Sequence, residues 1–342
     1  MVARDIEYVE LYTSDEHSTV NYFVSSLGFT QMARSADYDR SSALLRQGAV
    51  QVLVTAGPAT EKFLDAHGDG IADIALACDD VDATRDAAMA AGAIVLGSEP
   101  DRPVVSGFGG VRHTLLPCAA GLGAGARLPA DRTWTTALAD PSGQPGRIRL
   151  LDHVAICLEA GALAAHADFY GAAFGLARYS TEYVEVGDQA MDSIVVRSPS
   201  GGITFTLIEP DSAKNPGQLD AFLGRNGGPG VQHLAFLVDE IIPAVHEFRD
   251  RGVEFLRTPG AYYDMLIDRF TGMHEEIAEL RAADVLADQD GWGYLLQLFT
   301  RSPYERNTLF YELIERRGAR GFGSANIRAL YEAVERDRLA AE

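Results

Sequence analysis

GDGIADIALACDDVDATRDAAMAAGAIVL at 68–96 and GPGVQHLAFLVDEIIPAVHEFRDRGVEFL at 228–256 are two copies of one pattern. Each reads as strand, helix, strand: a short apolar run, a stretch with apolar residues at helical spacing, then a second apolar run. In the later copy Asp239 is the expected N-cap. Pro243 falls in the first helical turn, where a missing N–H is harmless, and Gly252 closes the helix. Ile242, Val245 and Phe248 are then expected to face a core.

The repeat extends outward. IEYVELYT at 6–13 resembles LDHVAICL at 151–158, and each precedes a helical stretch ending in a Gly/Phe pair, YFVSSLGF at 22–29 and FYGAAFGL at 169–176. Between the halves, PCAAGLGAGARLPADRTWTTALADPSGQPGRI is rich in Gly, Ala and Pro with little periodicity, as a linker is. The expected organisation is an α+β protein of two tandem domains, 1–116 and 149–342, joined by a linker over 117–148. Each domain would hold two βαβ-type modules whose strands curve as a mostly antiparallel sheet around a cavity.

A chain of 342 residues is long enough for two ordinary cores, and 47% hydrophobic with 23% charged residues is a globular composition. A formal charge of −20 repels polyanions and anionic lipid, so nucleic acid and membrane partners are set aside. Cys78, Cys118 and Cys157 are too scattered for a disulfide framework or zinc ribbon and read as small buried hydrophobes. No apolar run approaches the ~18 residues of a membrane span, and MVARDIEYVELY lacks the pattern of a signal peptide, so a cytoplasmic location is expected.

The two halves differ where chemistry is concerned. His153 aligns with Tyr8 and His233 with Asp73, so only the later half carries imidazoles at these inward strand positions. His153 shares a face with Ala155 and Cys157, and His233 with Ala235 and Leu237. In TLFYELIERRG, Glu312 shares a face with Phe310 and Ile314 inside an apolar strand, where an unpaired carboxylate would cost several kcal/mol. Two imidazoles and one carboxylate are the facial triad that suits non-haem Fe(II), with positions left open for a bidentate substrate and dioxygen. His17, His67, His113, His166 and His246 lack such partners and are expected at the surface. His274, Glu275 and Glu276 in MHEEIAEL read as a solvated helix face.

The strand-helix-strand module pair resembles the vicinal oxygen chelate superfamily over nearly the whole chain. LLQLFTRSPYERNTLFYELIERRGARGFGSANIRALYEAVERD at 295–337 resembles the C-terminal signature of the 4-hydroxyphenylpyruvate dioxygenase family. That resemblance implies Fe(II) on His153, His233 and Glu312, with 4-hydroxyphenylpyruvate and O2 as substrates. It implies substrate-pocket roles for Ser193, Gln218, Gln232 and Gln297, and cavity-lining roles for Phe299, Phe310 and Phe322. Asn326 falls within the same pocket motif, and a C-terminal helix starting near Ser324 would lie over the pocket as a lid.

Three positions depart from the dioxygenase pattern. GFGSANI places Ile327 where those enzymes usually carry Phe, and TLIEP places Ile208 where Asn is usual and Thr206 where Pro is usual. These changes match hydroxymandelate synthases, and that likeness implies decarboxylation with benzylic hydroxylation to 4-hydroxymandelate, a supply for peptide antibiotics. Ring hydroxylation to homogentisate is the alternative within the family. A ligand-binding protein without catalysis, built from the same modules, is the alternative outside it, and a zinc enzyme is a third. The metal-free first half is a candidate for interface duty, as in a homodimer, or for scaffold duty.

Overall fold

The computed structural model of the chain describes residues 2–99, 102–118, 129, 132–136, 146–270, 274–323 and 326. Two mixed sheets repeat one topology. The first runs, in spatial order, Val95–Glu99, Arg102–Ser106, Arg112–Pro117, Gly70–Cys78, Ala3–Tyr12, Val50–Ala56, Ser41–Gln47, Thr30–Ala36, Thr135–Thr136. The second runs Leu286–Gln289, Tyr294–Phe299, Phe310–Arg317, Gly230–Val238, Ile148–Cys157, Thr204–Pro210, Gln189–Arg197, Ala177–Val186. In each, the two central strands are antiparallel and are flanked by parallel neighbours.

Register confirms the internal alignment. Tyr8 pairs with Ala75 as His153 pairs with Ala235, and Glu10 pairs with Asp73 as Ala155 pairs with His233. The strand 148–157 sends Val154 and Ile156 into the apolar core, which Leu158 just beyond it joins, and Ala155 to the opposite face, as period-2 alternation requires.

The repeated helices lie at Val81–Ala90 and Ile241–Asp250. Asp80 caps the first by accepting from the Ala83 amide. The second differs from expectation: its N-cap is Glu240 rather than Asp239, and no side chain of its own loop caps it. Glu315, reaching over from the sheet, accepts from the Ile241 amide at 2.7 Å. Val245 and Phe248 are buried and Ile242 packs against the core.

One core spans both halves. Phe29 meets Phe236 and Phe23 meets Tyr311, with ring centroids 6.0 and 5.4 Å apart. His113, expected at the surface, is wholly buried in this seam. Its ring nitrogens lie 3.1 Å from the Ile74 carbonyl and 3.0 Å from the Tyr170 hydroxyl, and burial lowers its pKa to about 4. His17 and His246 are exposed, whereas His67 and His166 are half-buried with their Nδ1 atoms at the carbonyls of Asn226 and Ala162. Cys78 and Cys157 are buried and Cys118 is half-buried, and none of the three is in a disulfide. Among the described residues no helix is long and apolar enough to cross a membrane.

Candidate metal centre

His153, His233 and Glu312 project from three adjacent strands of the second sheet. Register staggers them: Ala155 opposes His233, and Ala235 lies between His153 on one side and Glu312 on the other. All three side chains therefore leave the same face and converge. The two Nε2 atoms are 3.3 Å apart, and Glu312 Oε2 is 3.3 Å from His153 Nε2 and 3.2 Å from His233 Nε2. Donors about 2.1 Å from a shared ion stand roughly 3.0 Å apart at right angles and roughly 3.4 Å at tetrahedral angles. The observed triangle lies between these, so the spacing admits one divalent ion on an N2O donor set.

Charge gives the same answer. All three residues are buried, Glu312 to 1% exposure. Burial alone would raise the Glu312 carboxyl, but the two imidazoles outweigh it and hold the pKa down at about 2. Burial likewise opposes the charged form of His153, yet Glu312 and Asp152 lift it to about 9, while burial leaves His233 lowered. A buried carboxylate facing two imidazoles is the kind of place a cation would take.

Other side chains fix these ligands. His153 Nδ1 donates to Asp152 Oδ1 at 3.0 Å, which leaves Nε2 as the acceptor, and Asp152 is gripped through both oxygens by Arg316. His233 Nδ1 donates to Gln232 Oε1 at 3.1 Å. Gln297 Nε2 donates to Glu312 Oε1 at 2.8 Å and its Oε1 accepts from Asn326 Nδ2 at 2.9 Å; Asn326 Oδ1 lies 2.8 Å from the Tyr262 hydroxyl. Asp152, Arg316 and Tyr262 were not anticipated from sequence. For Asp152 the signal was present, an acid immediately before a candidate ligand, His153.

The triad forms the floor of a cavity. Of the residues singled out in sequence, Ser193, Thr206, Ile208, Gln218, Gln232, Gln297, Phe299 and Phe322 line it. Ser193 Oγ donates to the Glu182 carbonyl at 3.0 Å. Thr206 Oγ1 is buried with no hydrogen-bond partner, an orphan that a polar ligand atom would satisfy. Phe310 stacks on His233 with centroids 5.0 Å apart and is not among the lining residues. Asn326 spends its amide on Gln297 and Tyr262, so it supports the floor from below. Ala155, Ser180, Glu182, Met191, Val195 and Leu219 complete the lining and had not been picked out. Ile327, Ser324 and the expected lid helix lie outside the described residues.

The equivalent place in the first half is filled by the protein itself. Asp73 stands where the later half has His233, and Thr114, two residues beyond its partner Arg112, stands where it has Glu312. Glu10 and Asp73 are buried and each pairs with Arg112 at 3.1 Å; Glu10 also pairs with buried Arg132 at 2.6 Å. Arg132 comes from the segment expected to be only a linker, which also adds Thr135–Thr136 to the edge of the sheet. Two acids against two guanidiniums leave neither the charge nor the donor set for a metal.

Comparison with known proteins follows the two halves. The family model described as hydroxyphenylpyruvate dioxygenase, N-terminal, matches residues 1–117, and that of the glyoxalase/bleomycin resistance protein/dioxygenase superfamily matches 150–297. A 4-hydroxyphenylpyruvate dioxygenase of Aspergillus fumigatus is 30% identical, the match covering 97% of this chain and 92% of that protein. Among solved structures, a mutant of 4-hydroxymandelate synthase from Streptomyces coelicolor superposes with a TM-score of 0.91 at 52% identity, covering 99% of this chain and all of that one. A xylose isomerase-like TIM barrel/4-hydroxyphenylpyruvate dioxygenase fusion protein superposes at 0.79 with 26% identity over 98% of this chain and 53% of its own.

Proposed function

The chain belongs to the 4-hydroxyphenylpyruvate dioxygenase family, and from that premise we propose that it is a 4-hydroxymandelate synthase. The reaction would consume 4-hydroxyphenylpyruvate and O2, release CO2 and place one oxygen atom on the benzylic carbon. The observation that carries this reading is the likeness to a hydroxymandelate synthase at 52% identity over 99% of the chain, against 30% for a dioxygenase over nearly the same span.

His153, His233 and Glu312 would hold Fe(II), which when bound supplies the electrons and open coordination positions that oxidative decarboxylation of a 2-oxo acid requires. The chain's own contribution is aim and dryness. Asp152 and Gln232 hold both imidazoles in the tautomer that presents Nε2, and Gln297 holds the carboxylate. Phe299, Phe322, Leu219 and Ile208 give an apolar wall against which an aromatic ring packs and from which water is excluded. Thr206, Gln218 and Gln232 offer neutral polar groups to the phenol and carboxylate ends of the substrate. Ile208 and Ile327 are assigned to product choice. Aliphatic groups at these positions would let the ring shift and present the benzylic carbon, and displacements near 1 Å suffice to change which atom reacts.

The names of the curated relatives favour a second reading, 4-hydroxyphenylpyruvate dioxygenase, with homogentisate as product. Incubating the Fe(II)-loaded protein with 4-hydroxyphenylpyruvate and O2 and separating the products distinguishes them. 4-Hydroxymandelate is expected as the main product. Homogentisate as the main product would replace the first reading by the second, and oxygen uptake absent in the iron-loaded protein would remove both.

A further inference from the structure

Arg316 does not line the cavity, yet it touches both sides of the metal centre's support. Its Nε and Nη2 donate to Asp152 at 2.7 and 2.8 Å, while Nη1 donates to the Gly321 carbonyl at 2.7 Å. The guanidinium carbon lies 5.1 Å from the centroid of the Phe322 ring, which itself meets the His153 ring edge-on at 5.4 Å. Asp152 completes the circuit by accepting from His153 Nδ1. One planar cation therefore holds the carboxylate that orients a ligand and the turn that carries Phe322 to the cavity wall.

We propose that Arg316, acting through Asp152, is a positioning residue that couples ion binding at His153 to docking of the 319–323 turn. The inference rests on the metal reading of the triad. The rigid fork of a guanidinium satisfies two carboxylate oxygens and a carbonyl at once, which an ammonium on a flexible stem does not reproduce. Without the fork Asp152 is free to rotate and His153 loses its fixed aim. Coupling of this kind is reciprocal: an ion that immobilises His153 also immobilises Asp152, Arg316 and the turn beyond it.

The test uses the full chain with Co(II) as probe, read by chelator competition and by visible absorption. Arg316→Lys, Arg316→Gln and Asp152→Asn are compared with Arg317→Gln, whose guanidinium on the same strand pairs with Glu315 and Glu276 away from the triad. The three site variants are expected to bind Co(II) about 10–100-fold more weakly, with altered absorption, while Arg317→Gln binds as the parent does. Co(II) should also slow amide exchange across 319–323 in the parent chain and not in Arg316→Gln. Unchanged affinity and absorption in a folded Arg316→Gln would overturn the coupling; should that variant fail to fold, Arg316→Lys and Asp152→Asn decide by the same readouts. If the parent chain binds no Co(II), the metal reading itself fails and takes this inference with it.

Discussion

Glu312 carries its charge where water does not reach it, and every nearby contact is arranged to keep that charge. One oxygen faces two imidazoles and the other accepts from Gln297. Such a carboxylate is legible in the sequence because alternation places it on an inward face among apolar neighbours, where a cation makes burial tolerable. His153 and His233 were legible for another reason, the contrast with Tyr8 and Asp73 at the same points of the repeat. Arg316 was not legible. Its carboxylate partner lies 164 positions away, and a lone arginine near the end of a strand otherwise reads as surface charge. The resemblance points to Phe310 as a cavity residue, and its stacking on His233 has no counterpart in the sequence pattern.

At the level of elements, the site exists because central strands pair with a stagger that a sequence repeat alone does not specify. The bulges between Leu151 and His153 and between Ala155 and Ile156 adjust that stagger on the strand carrying His153. The repeated helix was recognised correctly in extent, but its cap was not. A local reading looks for the cap within the preceding loop, whereas the Ile241 amide is satisfied by Glu315 from a strand far along the chain. Replacing Glu315 with Ala leaves that amide buried and unpaired, and it should lower stability by about 1–2 kcal/mol in urea unfolding at neutral pH. An unchanged midpoint would show that the cap contributes nothing. The first sheet makes the same point in reverse: Arg132, read as part of a featureless linker, is the guanidinium that helps close the first half's cavity.

For the whole molecule, the two halves are one packing unit. The repeat was visible in sequence, but the seam between halves was not, because its contacts join residues with no shared pattern. His113 shows this: its nitrogens are met by Ile74 and Tyr170, 39 and 57 positions away. A histidine held at about 4 in the folded chain, against an ordinary 6.5, is neutral there while the unfolded chain takes up a proton. The stability it contributes is fully present above pH 6.5 and is lost as pH falls toward 4, roughly 3 kcal/mol across that window. In His113→Gln, unfolding free energies measured between pH 7 and pH 4 should fall less steeply, by up to one proton in the slope. Equal slopes in variant and parent would mean that His113 does not stay neutral in the seam.

The central claim, that His153, His233 and Glu312 share one ferrous ion, is tested most directly by anomalous diffraction at the iron edge on crystals of the Fe(II)-loaded protein. One strong peak per chain is expected at bonding distance, about 2.0–2.3 Å, from both Nε2 atoms and from Glu312 Oε2, with no peak among Glu10, Asp73 and Thr114. Iron bound elsewhere, or a fully loaded crystal with these three side chains still hydrogen-bonded to one another and no ion between them, would contradict it.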